Sequence, residues 1–106
     1  MLIQELLTRG PDLVVSGYQL SNTDHIFTRA AQRGIHRAIV ISLLKRIGRA
    51  KPAIEEYGEV RLHDSQNLVD IVVKKIPDTN ILKFITVYPY DPENPPRKLM
   101  PTVTLR

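Results

Sequence analysis

An α+β fold, with N-terminal helices packed on a twisted antiparallel β-sheet of three to four strands, is predicted by a change of hydrophobic period along the chain. Between residues 22 and 48 apolar residues recur every three to four positions, the spacing of one helical face. After Pro52 they recur at every second residue, in three runs separated by short polar turns. A chain of 106 residues holds enough apolar material for one modest core and not for two.

Residues 2–7 read as a short amphipathic helix ended by Gly10-Pro11. The stretch 13–18 is the optional fourth strand, placed at a sheet edge. Ser21-Asn22-Thr23-Asp24 is dense in N-capping side chains, with Ser21 and Asp24 at capping-box spacing, so a helix is expected from residue 22 or 23. It runs through Ile26, Phe27, Ala30 and Ala31 to Gly34, where a left-handed cap is expected. A second helix, 36–48, aligns Ile39, Val40, Leu43, Leu44 and Ile47 in one stripe and should be the main core helix, broken at Lys51-Pro52.

The strands follow. Residues 59–63 should turn Val60 and Leu62 inward, 68–74 read as a more fully buried strand, and 81–88 complete an antiparallel meander. Asp64-Ser65-Gln66-Asn67 and Pro77-Asp78-Thr79-Asn80 supply the turns. Residues 1–90 therefore read as a single domain. Five of the eight prolines fall from Pro89 onward, so 91–106 is expected as a Pro-rich C-terminal tail, laid over the surface or disordered.

Composition narrows the chemistry. The absence of cysteine removes disulfides, thiolate metal sites and a thiol nucleophile together. His25, His36 and His63 lack the paired spacing of a zinc site, and the acids form no cluster suited to magnesium, so action without a metal or other cofactor is expected. No apolar run approaches the roughly 20 residues of a membrane span, and no membrane partner is expected. Met1-Leu2-Ile3 is followed at once by Gln4 and Glu5, without a basic lead or small-residue cleavage site, so any secretion is expected to be arranged by something outside this chain. The net charge is +4, and its distribution is more telling: residues 25–54 hold seven basic side chains and no acid. Such a single-sign segment concentrates polyanions, nucleic acid above all, or an acidic protein.

His25, Arg29 and Arg33 sit four residues apart on one predicted helical face, placing an imidazole one turn from a permanent cation suited to phosphate. Metal-independent RNA cleavage needs a group to deprotonate the 2′-hydroxyl, a cation for the phosphorane and a proton for the leaving oxygen. His25 is the candidate acid or base and Arg29 the phosphate clamp, with His63, Tyr88 or Lys83 as the remaining partner. Strand alternation sets Lys83, Ile85 and Val87 on one face and Phe84, Thr86 and Tyr88 on the other, so Thr86 and Tyr88 could orient a phosphate or stack on a base. Arg33, Arg37, Lys45, Arg46 and Lys83 are the expected RNA-binding cations. His36, after Gly34, is expected as a cap or surface residue.

The pattern His25-x-x-x-Arg29, Arg33-Gly34-Ile35, a helix, and a meander ending in Ile85-Thr86-Val87-Tyr88 resembles a family of small bacterial domains related to RelE-like and ParE-like toxins. More broadly it is similar to the barnase, EndoU, colicin and RelE-like ribonuclease superfamily. The resemblance implies a RelE/barnase-like ribonuclease fold and metal-independent cleavage of RNA through its 2′-hydroxyl. The setting it implies is the C-terminal toxin domain of a contact-dependent growth inhibition effector acting on tRNA, or a toxin-antitoxin toxin acting on messenger RNA. His25, Arg29, Thr86 and Tyr88 match the site it implies; His63 matches no fixed motif and comes from the residue reading alone. The basic strand cluster of ribosome-dependent toxins is thin here, with Lys83 its main representative, which favours free tRNA. The implied partners are an acidic immunity protein or antitoxin and, for some such toxins, a host activating factor. The implied place of action is the cytoplasm of the target bacterial cell. Two other readings remain open: a non-catalytic basic module that binds nucleic acid or a partner, and an adaptor whose tail docks on a partner.

Overall fold

The computed structural model describes residues 14–96 and 98–105; the expected helix at 2–7 lies outside them. Among the described residues it forms a six-stranded mixed sheet and three α-helices. The elements are β1 (Val14–Val15), β2 (Tyr18–Ser21), α1 (Thr23–Gln32), α2 (Arg37–Lys45), a 3-10 turn (Ile47–Ala50), α3 (Lys51–Tyr57), β3 (Glu59–Asp64), β4 (Val69–Lys75), β5 (Ile81–Pro89) and β6 (Thr102–Leu105). The sheet order is β1-β2-β5-β4-β3-β6.

The α+β class and the β3-β4-β5 antiparallel meander are as expected. The three-to-four-stranded antiparallel sheet under N-terminal helices is not. Two strands precede the described helices, and two pairings, β2 with β5 and β3 with β6, are parallel. The stretch 13–18, read as one strand, contains a two-residue hairpin turn at Ser16-Gly17. Both residues have positive φ, 54° and 85°, the primed geometry whose twist matches paired strands. The chain then crosses from β2 to β3 through all three helices, which cover one face of the sheet.

Beneath the helices lies the core. The predicted stripe on α2 is buried at Val40, Leu43 and Leu44, with Ile47 just beyond, against Val60 and Leu62 of β3, Ile71 and Val73 of β4, and Phe84 and Val87 of β5. Pro52 does not end the helical region. It occupies the first turn of α3, where a missing N–H costs nothing and its fixed φ suits a helix start.

α1 ends in a Schellman motif. Gly34, at φ 72°, donates to the Ala31 carbonyl at 3.2 Å, the Ile35 N–H reaches the Ala30 carbonyl at 2.9 Å, and the Ile35 side chain is buried. The expected capping box does not form. Ser21 is committed to β2, where it pairs with Lys83, and left-handed Asn22 takes the cap position while its side chain donates to the Phe84 carbonyl at 3.0 Å. At the other end, Arg33 donates to the Val87 carbonyl and to Thr86 Oγ1. β2 covers β5 only as far as Lys83, so these two residues flanking α1 satisfy β5 carbonyls along the edge that β2 leaves open.

The tail is more than a surface strap. Pro95, Pro96, Lys98 and Met100 lie with Arg61 on the sheet face opposite the helices, and β6 then joins the sheet beside β3 with Leu105 buried in the core. Leu105→Ala is expected to lower stability by about 2–3 kcal/mol through transfer and cavity terms. Urea unfolding should show a lower midpoint with an unchanged slope. No helix among the described residues is long and apolar enough to cross a membrane.

Candidate active site

The face opposite the helices gathers ionisable and polar side chains. Along β3, Val60, Leu62 and Asp64 are buried and alternate with Glu59, Arg61 and His63 on the open face. On β4 the apolar residues Ile71 and Val73 join the core, which turns Asp70 and Val72 to the open face. The registers set His63 opposite Asp70, and Asp70 opposite Tyr88. Three residues remote in sequence thus form one row across three strands, with Arg61 diagonal to it.

Thr86 and Tyr88 reach this face by an interruption the alternation did not include. A β-bulge between Val72 and Val73 leaves Ile85 without a cross-strand partner, so Phe84 and Val87 both turn inward. Phe84 therefore does not share a face with Thr86 and Tyr88, and Val87 does not share one with Ile85.

Asp70 is wholly buried. Its Oδ1 lies 2.6 Å from His63 Nδ1, and Oδ2 lies 3.9 Å from Arg61 Nε with no hydrogen-bond partner among the described residues. An ionised carboxylate only accepts, so Nδ1 carries the ring proton and Nε2 is left as the nitrogen that can exchange one. Tyr90 packs edge-on against the imidazole, with ring centroids 4.7 Å apart. Arg61 donates through Nε to Tyr88 Oη at 2.8 Å, through Nη1 to Thr102 Oγ1 at 3.3 Å and through Nη2 to the Lys98 carbonyl at 2.8 Å. Its other N–H groups have no protein partner among the described residues. Burial, and next the Asp70 charge, push the Tyr88 phenol above its usual range against the opposing effect of Arg61. Tyr88 is therefore a neutral hydroxyl at rest, with a proton it can donate. His63, Arg61, Asp70, Tyr90, Thr102 and the Pro95-Pro96 strap line a pocket of about 210 Å³. Among the described residues, no three His, Asp or Glu side chains gather as metal ligands do.

The other sequence candidates are dispersed. His25 is exposed on α1 and Arg29 half-buried there; neither bonds to another candidate among the described residues. Arg33 meets Thr86, joining the helix to the strand as a structural tie. Arg37 stacks over Phe27 at 5.3 Å from the ring centroid. Lys45 is exposed at the end of α2, and exposed Lys83 on β5 lies opposite Lys74 of β4. Arg46 is held at Asp64, 3.2 Å away, and at the Ser42 carbonyl. His36 caps α2, its Nδ1 accepting from the Ala38 N–H at 3.1 Å.

Sequence reasoning passed over Asp70 and the part played by Arg61. The signal was an acid inside the apolar run Val69-Asp70-Ile71-Val72-Val73, since a carboxylate buried in a strand requires a partner.

Compared with protein-family models, curated proteins and solved structures, the chain matches none of them. The toxin resemblance drawn from its motifs gains no support there, and the functional reading rests on the geometry of the open face.

Proposed function

We propose that the chain is a metal-independent RNA endonuclease whose proton transfer is carried by His63. The observation that carries this reading is the wholly buried Asp70, which fixes the His63 tautomer at 2.6 Å while the imidazole lines a pocket shared with Arg61. A buried carboxylate is costly unless paired, and here it holds a proton-exchanging ring beside a guanidinium with donors to spare.

In this reading Nε2 of His63 takes the proton of a ribose 2′-hydroxyl as that oxygen forms a bond to phosphorus. The imidazolium that results is stabilised by Asp70. The unpaired N–H groups of Arg61 meet the charge that builds on the phosphoryl oxygens. The bond to the 5′-oxygen breaks as Tyr88 gives that oxygen a proton, leaving a 2′,3′-cyclic phosphate and a 5′-hydroxyl, and the proton held by the His63 imidazolium returns to the Tyr88 phenolate by way of solvent. Exposed Arg33, Arg37, Lys45 and Lys51 give the helical layer a positive field that draws a polyanion toward the molecule. A toxin acting on tRNA in a target bacterial cell, held in check by an acidic immunity protein or antitoxin, fits this chemistry and the motif resemblance.

The test is incubation of purified full chain with total tRNA in excess chelator. The expected result is discrete fragments ending in 2′,3′-cyclic phosphate. A folded chain that leaves tRNA and unstructured RNA intact would sink the proposal.

A further inference from the structure

Beside the His63 pocket lies a second cavity of about 280 Å³ with a different character. The β5 bulge turns Ile85 outward, 40% exposed, next to Val72 and the ring of Tyr88, and the strap closes the far side with Pro96 and Met100. The walls are apolar; the rim is polar, with Thr86 and a Glu59 carboxylate that accepts from Lys98 Nζ at 2.9 Å. Arg61 and Pro96 line both cavities, so the two open onto one guanidinium.

The volume lies near the lower end of the roughly 300–1,000 Å³ of sites that take drug-sized ligands, a size that suits a single small ring system. An aliphatic chain would leave the remaining N–H groups of Arg61 unmatched, and a phosphate alone would leave the apolar walls uncovered. A heterocycle with apolar faces and a hydrogen-bonding edge satisfies both, joined to an anion that reaches Arg61. We infer that this cavity is a nucleobase subsite, with Ile85 and Met100 as its walls, so that the His63 site takes an unpaired nucleotide in a loop or single strand. The inference rests on the RNA reading of that site, because a base inside a duplex is stacked and cannot enter the slot.

Nucleoside 3′-monophosphates, base-free ribose phosphate and inorganic phosphate are titrated into the full chain while the methyl signals of Ile85 and Met100 are followed by NMR. The nucleotides should bind about tenfold or more tightly than ribose phosphate, as expected for one stacked base, and should shift both methyls. Inorganic phosphate should leave the methyls in place. Ile85→Asp, at a half-exposed position that tolerates a polar side chain, should remove the base-dependent gain and retain phosphate binding. Equal affinity for nucleotide and ribose phosphate, or no binding of either, would overturn the subsite.

A second arm separates the two proposals by comparing one RNA sequence as single strand and as duplex. Cleavage that depends on His63 and is equally fast in both forms overturns the subsite while the nuclease reading stands. A base-dependent gain in binding without cleavage of any RNA supports the subsite and overturns the nuclease reading.

Discussion

Replacing His63 by glutamine is expected to lower RNA cleavage about a hundred- to ten-thousand-fold, the usual contribution of a positioned acid or base, while the chain stays folded. Asp70→Asn should lower the rate by a comparable factor for a different reason. The amide cannot stabilise the imidazolium, and it no longer dictates that Nδ1 carries the proton. Stability should respond much less than the rate. Asp70 Oδ2 makes no hydrogen bond among the described residues and lies at 3.9 Å from Arg61 Nε, and an amide oxygen still accepts from His63 Nδ1, so the unfolding midpoint should fall far less than in Asp64→Ala. If the His63–Asp70 contact were only a strut between β3 and β4, both variants would lose stability and neither would have a rate to lose. Nitrogen shifts of the His63 ring, which report its tautomer, should change in Asp70→Asn. His25→Ala supplies the contrast. Loss of cleavage there, with His63→Gln active, would move the site to the α1–β5 edge.

The parts of this fold written in local period were legible. The α1 and α2 stripes, the Gly34 cap and the meander all follow from spacings of two to four residues, which short-range sterics enforce. Parallel pairing is not written locally. Nothing within β2 or β6 names its partner, because a parallel neighbour is reached by a long crossover and its register is set by the assembled core. Leu105 belongs to that core yet follows a proline-rich segment, so composition classed it with the tail.

The site was half legible for the same reason. With the turn placed at 64–67, His63 falls opposite Leu68, and no chemistry results. In the structure Asp64 is the last residue of β3 and the turn occupies 65–68, which brings His63 opposite Asp70. Sliding the turn by one residue moves the partner of His63 by two, from an apolar side chain to a carboxylate. The bulge at Ile85 has a similar effect on β5. It carries Thr86 and Tyr88 to the open face and makes Ile85 a cavity wall, a change that strict alternation cannot express.

That register depends on Asp64, and the largest stability loss is expected there. Its side chain is wholly buried. Oδ1 accepts from the backbone N–H groups of Gln66 and Asn67 at 2.9 and 3.1 Å, and Oδ2 accepts from Asn67 Nδ2 at 2.9 Å and Arg46 Nη2 at 3.2 Å. The carboxylate thus shapes the β3–β4 turn and ties it to the end of α2. Asp64→Ala removes both functions and leaves Arg46, which is 16% exposed, facing a cavity. Removing one partner of a buried pair costs about 3–5 kcal/mol, a large share of the roughly 5–15 kcal/mol that holds a domain together. The melting temperature should fall by more than about 10 °C.

Acid tests the same group without mutation. Burial pushes the Asp64 carboxyl up, but hydrogen bonds from the Asn67 side chain, the Asn67 and Gln66 backbone and Arg46 outweigh it and hold the carboxyl below its ordinary 3.8. A folded-state value below the unfolded one means that the unfolded chain takes up the proton first. The stabilisation is complete above the unfolded value and is lost as pH falls through the folded one. Unfolding midpoints measured from neutrality to pH 3 should drop on the acid side, and Asp64→Asn, which has no proton to gain, should flatten that drop. If Asp64→Asn kept the full acid slope, other carboxylates would account for it, and the turn would owe its stability to the neutral hydrogen bonds alone.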